Sequence, residues 1–312
     1  MTATRIRLTN IKVLRLENSS WVELDIPTFS NVTLCWRSNF LFVNAANASD
    51  AGIPALRSEQ WLKDCLRLSS VAAVCLNIKL SETALQSWAD ACHDANRPVF
   101  LTVLPSAEFR NQCSSLGWRT KRFIDWFLSA LMLLVLSPLM AFLMVLVKLS
   151  SPGPIFFRQW RVGGRGRLFK IWKFRTMVVN AEETHHTIMG SQQGLHKHKD
   201  DPRVTPIGRF MRKYSLDELP QLINVLRGEM SLVGPQPWTI YDAIRIKHED
   251  LHRLRALPGI TGLWQVLGRS HLVDLDTVSQ LDLEYLKSWS LWKDFQILLM
   301  TIPKVLTGFG AY

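Results

Sequence analysis

The sequence predicts a small α/β domain followed by a membrane-attached α+β domain. Three observations carry this reading. Strand-like and helix-like runs alternate up to Trp118, a 22-residue run without charge follows shortly after, and nearly all the excess positive charge lies beyond Trp118. Of the 312 residues, those up to Trp118 hold 11 bases and 10 acids, whereas the rest hold 26 bases and 16 acids, within a formal net charge of +11. A basic half suits nucleic acid, anionic lipid or a phosphorylated substrate, and charge alone does not choose among them.

The first 118 residues read in order as strand "FLFVNA", helix "SEQWLKDCLRLSS", strand "VAAVCLNIKL", helix "SETALQSWADACHDANRP", strand "VFLTVLP" and helix "SAEFRNQCSSLGW". By element order this part resembles the regulatory STAS fold, and a Rossmann-like half is the competing reading. No glycine-rich loop follows any of these strands, so a docking or regulatory module is favoured over a nucleotide site. All five cysteines (Cys35, Cys65, Cys75, Cys92 and Cys113) lie here without metal-binding spacing, and they are expected as buried thiols of a reducing cytosol. The N-terminal stretch lacks an apolar core of signal-peptide length, so secretion is not expected.

Arg119, Lys121 and Arg122 lead into "WFLSALMLLVLSPLMAFLMVLV", residues 126–147. As a straight helix this run measures about 33 Å and can cross a bilayer. Pro138 at its middle lacks an N–H and clashes with the carbonyl of Leu134, so the helix is expected to bend or break there, with Ser137 satisfying a freed backbone group. Each half is then only about 17 Å long, enough to dip in but not to cross. Cations flank both ends, whereas a spanning helix normally carries them on one side. The residues leave open a re-entrant hairpin and a kinked spanning helix.

From Trp126 to Ala181 there is no acid, and eight cations follow the apolar run, among them Arg161, Lys173 and Arg175. "FRQWRVGGRGRLFKIW" reads as two strands joined by a tight turn, whose Gly163, Gly164 and Gly166 among arginines suit either a phosphate cradle or a plain hairpin on a lipid-facing surface. The stretch "SLDELPQLINVL" then sets Asp217 beside Glu218. Ser215 and Glu218 have capping-box spacing, but a helix capped at Ser215 places Pro220 at its fifth position, where proline deletes a hydrogen bond. With Arg203, Arg209, Arg212 and Lys213 just upstream, the pair reads as carboxylates for Mg²⁺ among arginines for phosphate. Nucleic-acid binding is disfavoured, because the basic window follows an apolar run and carries no DNA or RNA module signature.

The strings "RQWRVG", "KFRTM", "SLDELPQLINVLRGEMSLVGP", "PGITGLWQVLGRS" and "LDLEYLKSWSLWKDFQILLMTIPKVL" closely resemble the bacterial sugar transferases, which are monotopic phosphoglycosyl transferases. The resemblance runs in order from about Lys121 to Tyr312 and leaves the first part uncovered. It implies transfer of a sugar 1-phosphate from a nucleoside-diphosphate sugar, expected to be a UDP-sugar, to undecaprenyl phosphate, with release of the nucleoside monophosphate. It further implies a re-entrant helix broken at Ser137 and Pro138, Mg²⁺ as cofactor, and a seat on the cytoplasmic face of the inner membrane with both ends cytoplasmic. Matched by position, Asp217 is the nucleophile that carries the phosphosugar and Glu218 its metal-binding partner. Asp217 and Asp282 join Glu218 in the expected metal set, and Tyr285 is expected nearby. Arg161, Lys173, Arg175, Arg212, Arg269 and Gln236 are expected to hold phosphate or substrate. Gln236 is a departure, since the family usually reads Pro-Arg-Pro here and glutamine brings no charge. Trp238 likewise stands where an acid is common.

The tail gathers Trp289, Trp292, Phe295, Leu298 and Leu299 beside Lys287 and Lys293, as suits a helix in the headgroup layer. The expected domains are 1–118, 119–150 and 151–312. A homo-oligomer or a protein partner in glycan assembly stays open, and a non-catalytic membrane scaffold is the alternative function. The sugar, the nucleotide and the polysaccharide are not legible.

Overall fold

The computed structural model of the chain describes residues 32–45, 59–102, 116–179, 181, 201–245, 247–268 and 275–308. It divides into two compact units, the first of Met1–Pro105 with Gly166–Leu168 and the second of Ser106–Arg165 with Phe169–Tyr312. In the first unit β1 (Val32–Arg37) and β2 (Phe40–Ala45) pair antiparallel, and β3 (Ala73–Asn77) and β4 (Val99–Thr102) extend the sheet in parallel, in the order β1-β2-β3-β4. Parallel pairs need long crossovers, which α1 (Glu59–Leu68) and α2 (Glu82–Asp94) supply. Ser81 caps α2 by accepting from Ala84 N–H, and the fully buried Trp88 turns inward from that helix.

The predicted strands and helices of this part are present, and β1 is an addition. "VTLCWR" escapes the sequence reading because it is a half-buried edge strand with little alternation. The helix expected over 106–118 falls mostly outside the described residues. Cys92 alone is fully buried, with its thiol pushed up to about 12 by burial, so it is inert. Cys35, Cys65 and Cys75 are free and only half-buried, and Cys113 lies outside the described residues.

The second unit opens with α3 (Leu116–Ser150), a single 35-residue helix with Pro138 inside. The helix continues through Pro138, so the expected bend or break is not an interruption into two helices. The Ser137 hydroxyl donates to Leu134 O at 2.8 Å, occupying the carbonyl that proline cannot serve. Strands β5 (Phe156–Val162) and β6 (Leu168–Phe174) follow, joined by a turn in which Arg165 and Gly166 have φ of 59° and 75°. Next come α4 (Pro206–Lys213), α5 (Gln221–Leu226), β7 (Ser231–Val233), β8 (Trp238–Thr239) and the short α6 (Ile240–Ala243). Strand β9 (Gly259–Thr261) and helices α7 (Leu263–Gly268), α8 (Leu275–Lys287) and α9 (Leu291–Thr307) complete the unit. One sheet has the order β6-β5-β8, and β7 pairs in parallel with β9.

Both ends of α3 are held by this unit. Near its start, Lys121 donates to Val233 O at 3.0 Å and to Asp294 at 2.6 Å, while Arg122 donates to Met230 O at 2.9 Å. Asp125 accepts from the Ser231 hydroxyl and from Leu232 N–H. Asp294 also accepts from the Tyr285 hydroxyl and the Trp289 indole, so this buried ion pair is fully hydrogen-bonded, as a charge out of water must be. Near the end of α3, Met140, Leu143 and Val147 are buried in a core with Phe174 and Met211. Between these anchors Leu134, Val135, Ser137, Pro138 and Leu139 are exposed. Those residues lie on one broad side of the helix, opposite Leu133 and Met140, which pack against the unit, so the middle of the helix turns a mostly apolar side outward.

Helix α9 buries Asp294 and Ile297 and leaves Trp292, Phe295, Leu299, Met300, Ile302 and Leu306 exposed. It is an amphipathic helix with an open apolar face rather than a core helix.

Candidate active site

The dyad sits on a turn between two helices. Thr205 caps α4 by accepting from Gly208 N–H at 2.9 Å, Pro206 takes the first helical position, and the helix ends at Tyr214. A side chain at Gly208 would put Cβ 2.1 Å from Thr176 O, so glycine lets α4 close onto the chain after β6. Ser215 then turns left-handed, at φ 54°, into a 3₁₀ turn Leu216–Glu218 that carries Asp217 and Glu218. The capping-box reading fails here, because Ser215 makes no side-chain cap. The proline objection also dissolves, since α5 begins after Pro220, where a missing N–H costs no helix bond.

The hairpin and α4 bring cations to the two acids. Lys173, on β6, donates to Glu218 Oε1 at 2.7 Å. Arg212, on α4, donates from Nε to Thr176 Oγ1 at 2.9 Å and lies within electrostatic reach of Asp217. The paired Asp201 and Arg203 stand close enough to Arg212 to act on its charge. Arg161, on β5, acts on Glu218 and Asp242, and its Nη1 is buried without a protein partner. Burial pushes Arg161 down to about 10, against the pull of Asp242 and Glu218, and it stays charged at neutral pH.

Asp217 is buried, and its carboxyl rises to about 6. Desolvation is the main cause and the Glu218 charge the second, while Lys173 and Arg212 pull the other way. The turn therefore holds a poised carboxylate beside a second one that already has a cation.

Three glycines place the Gln236 loop against this sheet. A Cβ on Gly234 would meet Leu257 O at 2.5 Å, one on Gly259 would meet Gly234 N at 2.1 Å, and one on Gly262 would meet Gly234 O at 2.4 Å. The backbones of "GPQP" and "PGITG" thus touch directly, tied by Gly234 N–H to Thr261 O and Gly259 N–H to Pro235 O. Strand β8 follows, with Thr239 opposite Arg161 on β5, so the loop leads onto the strand that carries an active-site cation. Gln236 donates its N–H to Asp282 at 3.3 Å and accepts at its carbonyl from Arg253 at 3.0 Å. Arg253 is fully buried, pairs with Asp282 and stacks 3.7 Å over Trp238.

The expected site residues therefore separate. Asp217, Glu218, Lys173, Arg212 and Arg161 come together. Gln236 is half-buried, with its side-chain oxygen buried and lacking a protein partner. Asp282, expected as a metal ligand, is the partner of Arg253, and among the described residues no three carboxylate, histidine or cysteine side chains converge as a metal cage. Arg175, expected at phosphate, donates to Pro152 O, Ser151 O and Ser151 Oγ, which fastens the loop after α3. Tyr285 belongs to the Asp294 network, and Arg269 lies outside the described residues. Arg253 and Asp242 were missed by sequence reasoning, since nothing in "HEDLHRLRAL" or "TIYDAI" marks one charge as buried.

The chain belongs to the bacterial sugar transferase family, whose model matches residues 116–308. It is 44% identical over 194 residues to the galactosyl transferase CpsE of Streptococcus agalactiae, a match covering 61% of this chain and 43% of that protein. It is also 44% identical over 199 residues to an undecaprenyl-phosphate galactose phosphotransferase of Salmonella typhimurium, covering 62% and 41%. The exopolysaccharide production protein ExoY of Rhizobium meliloti is 37% identical over 234 residues, covering 71% of this chain and 99% of that protein. The chain thus spans less than half the length of the first two relatives and nearly all of the third.

The raised pKa of Asp217 fixes the sign of a stability effect. Its stabilising contribution is complete below the unfolded value near 4 and is lost as pH rises through about 6, because only the folded state resists ionisation. In chelator-containing buffer at pH 8, Asp217→Asn is therefore expected to be more stable than the parent by about 1–3 kcal/mol, with the difference vanishing near pH 4. Thermal unfolding across that range checks it, and a variant less stable at pH 8 would contradict the buried, poised carboxylate.

Proposed function

We propose that the chain transfers a sugar 1-phosphate from a nucleoside-diphosphate sugar to undecaprenyl phosphate through a covalent intermediate on Asp217. The observation that carries this is the buried Asp217–Glu218 turn with Lys173, Arg161 and Arg212 gathered around it. An ionised carboxylate needs no general base to attack phosphorus, and its difficulty is approaching an anionic diphosphate. Arg161 and Arg212 relieve this by holding phosphoryl oxygens, as planar guanidinium forks do well. Attack on the sugar-bearing phosphorus breaks its bond to the bridging oxygen, which leaves with the nucleoside monophosphate. The lipid phosphate then attacks the same phosphorus and frees Asp217.

The donor set also fits Mg²⁺, which takes one or two carboxylates and otherwise waters and phosphate oxygens. Glu218 and Asp217 would hold it, and bound there it spreads charge from the diphosphate. Lys173 holds Glu218 in the meantime and keeps the second negative charge from raising Asp217 further. Arg253 and Asp282 position the Gln236 backbone, leaving the Gln236 amide to read the donor. The names of the relatives support galactose or glucose phosphate transfer to undecaprenyl phosphate, and we take a UDP-sugar as donor. The mixed sheet of the first unit fits a STAS-like docking or regulatory role.

The purified full chain, with Mg²⁺, undecaprenyl phosphate and a panel of nucleotide sugars, is expected to release nucleoside monophosphate catalytically from one or a few donors. Glu218→Gln should lower the rate on the order of a hundredfold or more and weaken the Mg²⁺ dependence. No release from any donor would instead favour the scaffold reading.

We further propose that α3 dips into the cytoplasmic leaflet and returns, with both ends cytoplasmic. Its two ends are anchored on one compact unit, Leu134, Val135 and Leu139 between them are exposed, and Pro138 gives the helix a place to bend. In a cysteine-free background, Thr120→Cys and Lys148→Cys should both react with an impermeant maleimide from the cytoplasmic face only. Labelling from opposite faces would establish a spanning helix.

A further inference from the structure

We propose that Arg158, Trp172 and Arg227 form a site for the phosphate headgroup of an anionic phospholipid beside the membrane helix, a role separate from catalysis. The Arg158 guanidinium lies 3.6 Å over the Trp172 ring and that of Arg227 lies 5.5 Å from it. Neither guanidinium has a carboxylate or hydrogen-bond acceptor among the described residues. Two like charges against one ring, without an acid, leave planar N–H forks suited to phosphate oxygens.

The site is built rather than incidental. Asn224, fully buried on α5, accepts from Trp172 N–H at 3.0 Å and donates to Lys170 O at 3.0 Å, which fixes β6 against the helix that ends at Arg227. Glu229, the nearest acid in sequence, accepts from that same Asn224 at 2.6 Å.

Strand alternation separates this patch from the active site. Side chains at 172 and 174 project from the face of β6 opposite that of 173, and 156 and 158 from the face of β5 opposite that of 161. Lys173 and Arg161 serve the dyad, whereas Trp172, Phe156 and Phe174 lie on the other face. Phe156 meets Trp172 edge-on at 5.4 Å and stacks on Phe174 at 5.5 Å, and Phe174 packs with Met140, Leu143 and Val147 of α3. The arginines thus stand where apolar helix meets solvent, at headgroup level in the membrane-dipping reading on which this proposal rests. That position selects a bilayer lipid over a free phosphate.

The test is native mass spectrometry of the detergent-solubilised full chain, titrated with phosphatidylglycerol, phosphatidylcholine, inorganic phosphate or undecaprenyl phosphate. No nucleotide sugar is present, so the result is independent of the transfer reaction. Wild type is expected to prefer phosphatidylglycerol over phosphatidylcholine by about tenfold or more, and the Arg158→Gln/Arg227→Gln variant to lose that preference. Arg158→Gln alone, at an exposed position, should lower it about threefold, and Arg158→Lys/Arg227→Lys should retain only part of it, since lysine keeps the charge and loses the planar fork. Equal affinity for the two lipids, a preference that survives in the glutamine variants, or displacement by inorganic phosphate or undecaprenyl phosphate would each overturn the proposal.

Discussion

Two adjacent carboxylates inside a poorly solvated turn repel each other, and the rest of the second unit is arranged around that constraint. Desolvation and the Glu218 charge both raise Asp217, and imported cations are the main opposition, with a smaller part from a backbone hydrogen bond. Lys173 comes from β6, Arg161 from β5 and Arg212 from α4, so no single element makes the site. The balance leaves Asp217 near 6, low enough to be ionised at neutral pH and high enough to remain a reactive base. The cost is stability, as expected where a site is kept strained and desolvated for function.

Anchoring follows from the same need. The hairpin can bring its cations only if its other face is fixed, and there Phe156 and Phe174 pack against α3. The opposite end of α3 is tied by Lys121 to Asp294 on α9 and to Val233, the last residue of the strand that leads into the Gln236 loop. One buried polar network therefore connects the apolar helix, the amphipathic α9 and the loop beside the site. Because every partner in it is hydrogen-bonded, removing one member would strand a buried charge.

Much of this was legible in the sequence, and what was missed has physical reasons. The apolar run of 126–147, the strand alternation around "FRQWRVGGRGRLFKIW" and the adjacent Asp217 and Glu218 are local patterns, and the structure has the helix, the hairpin and the gathered cations. The Ser137 hydroxyl reaching Leu134 O was legible, whereas the continuity of α3 through Pro138 was not, because residues on its far side are held by packing against Phe174 and Met211. The capping-box reading of Ser215 was reasonable by spacing and fails because Ser215 adopts a left-handed backbone that only the tertiary turn imposes. Arg175, Asp282 and Tyr285 are held by Ser151 and Pro152, by Arg253 and by Asp294, and those partnerships arise from packing rather than from spacing in the sequence. Arg253 gave no signal, since burial of a charge beneath a tryptophan is a property of packing alone.

The central claim is that Asp217 itself bonds to phosphorus. The most direct measurement is intact-protein mass spectrometry after incubation with an accepted nucleotide sugar and Mg²⁺ in the absence of lipid acceptor. The account requires a protein heavier by one sugar phosphate, mapped to Asp217, with no more than one equivalent of nucleoside monophosphate released and neither signal in Asp217→Asn. Turnover that persists in Asp217→Asn, or an adduct mapped to Glu218, would contradict it and point to direct attack by the lipid phosphate or to the other carboxylate.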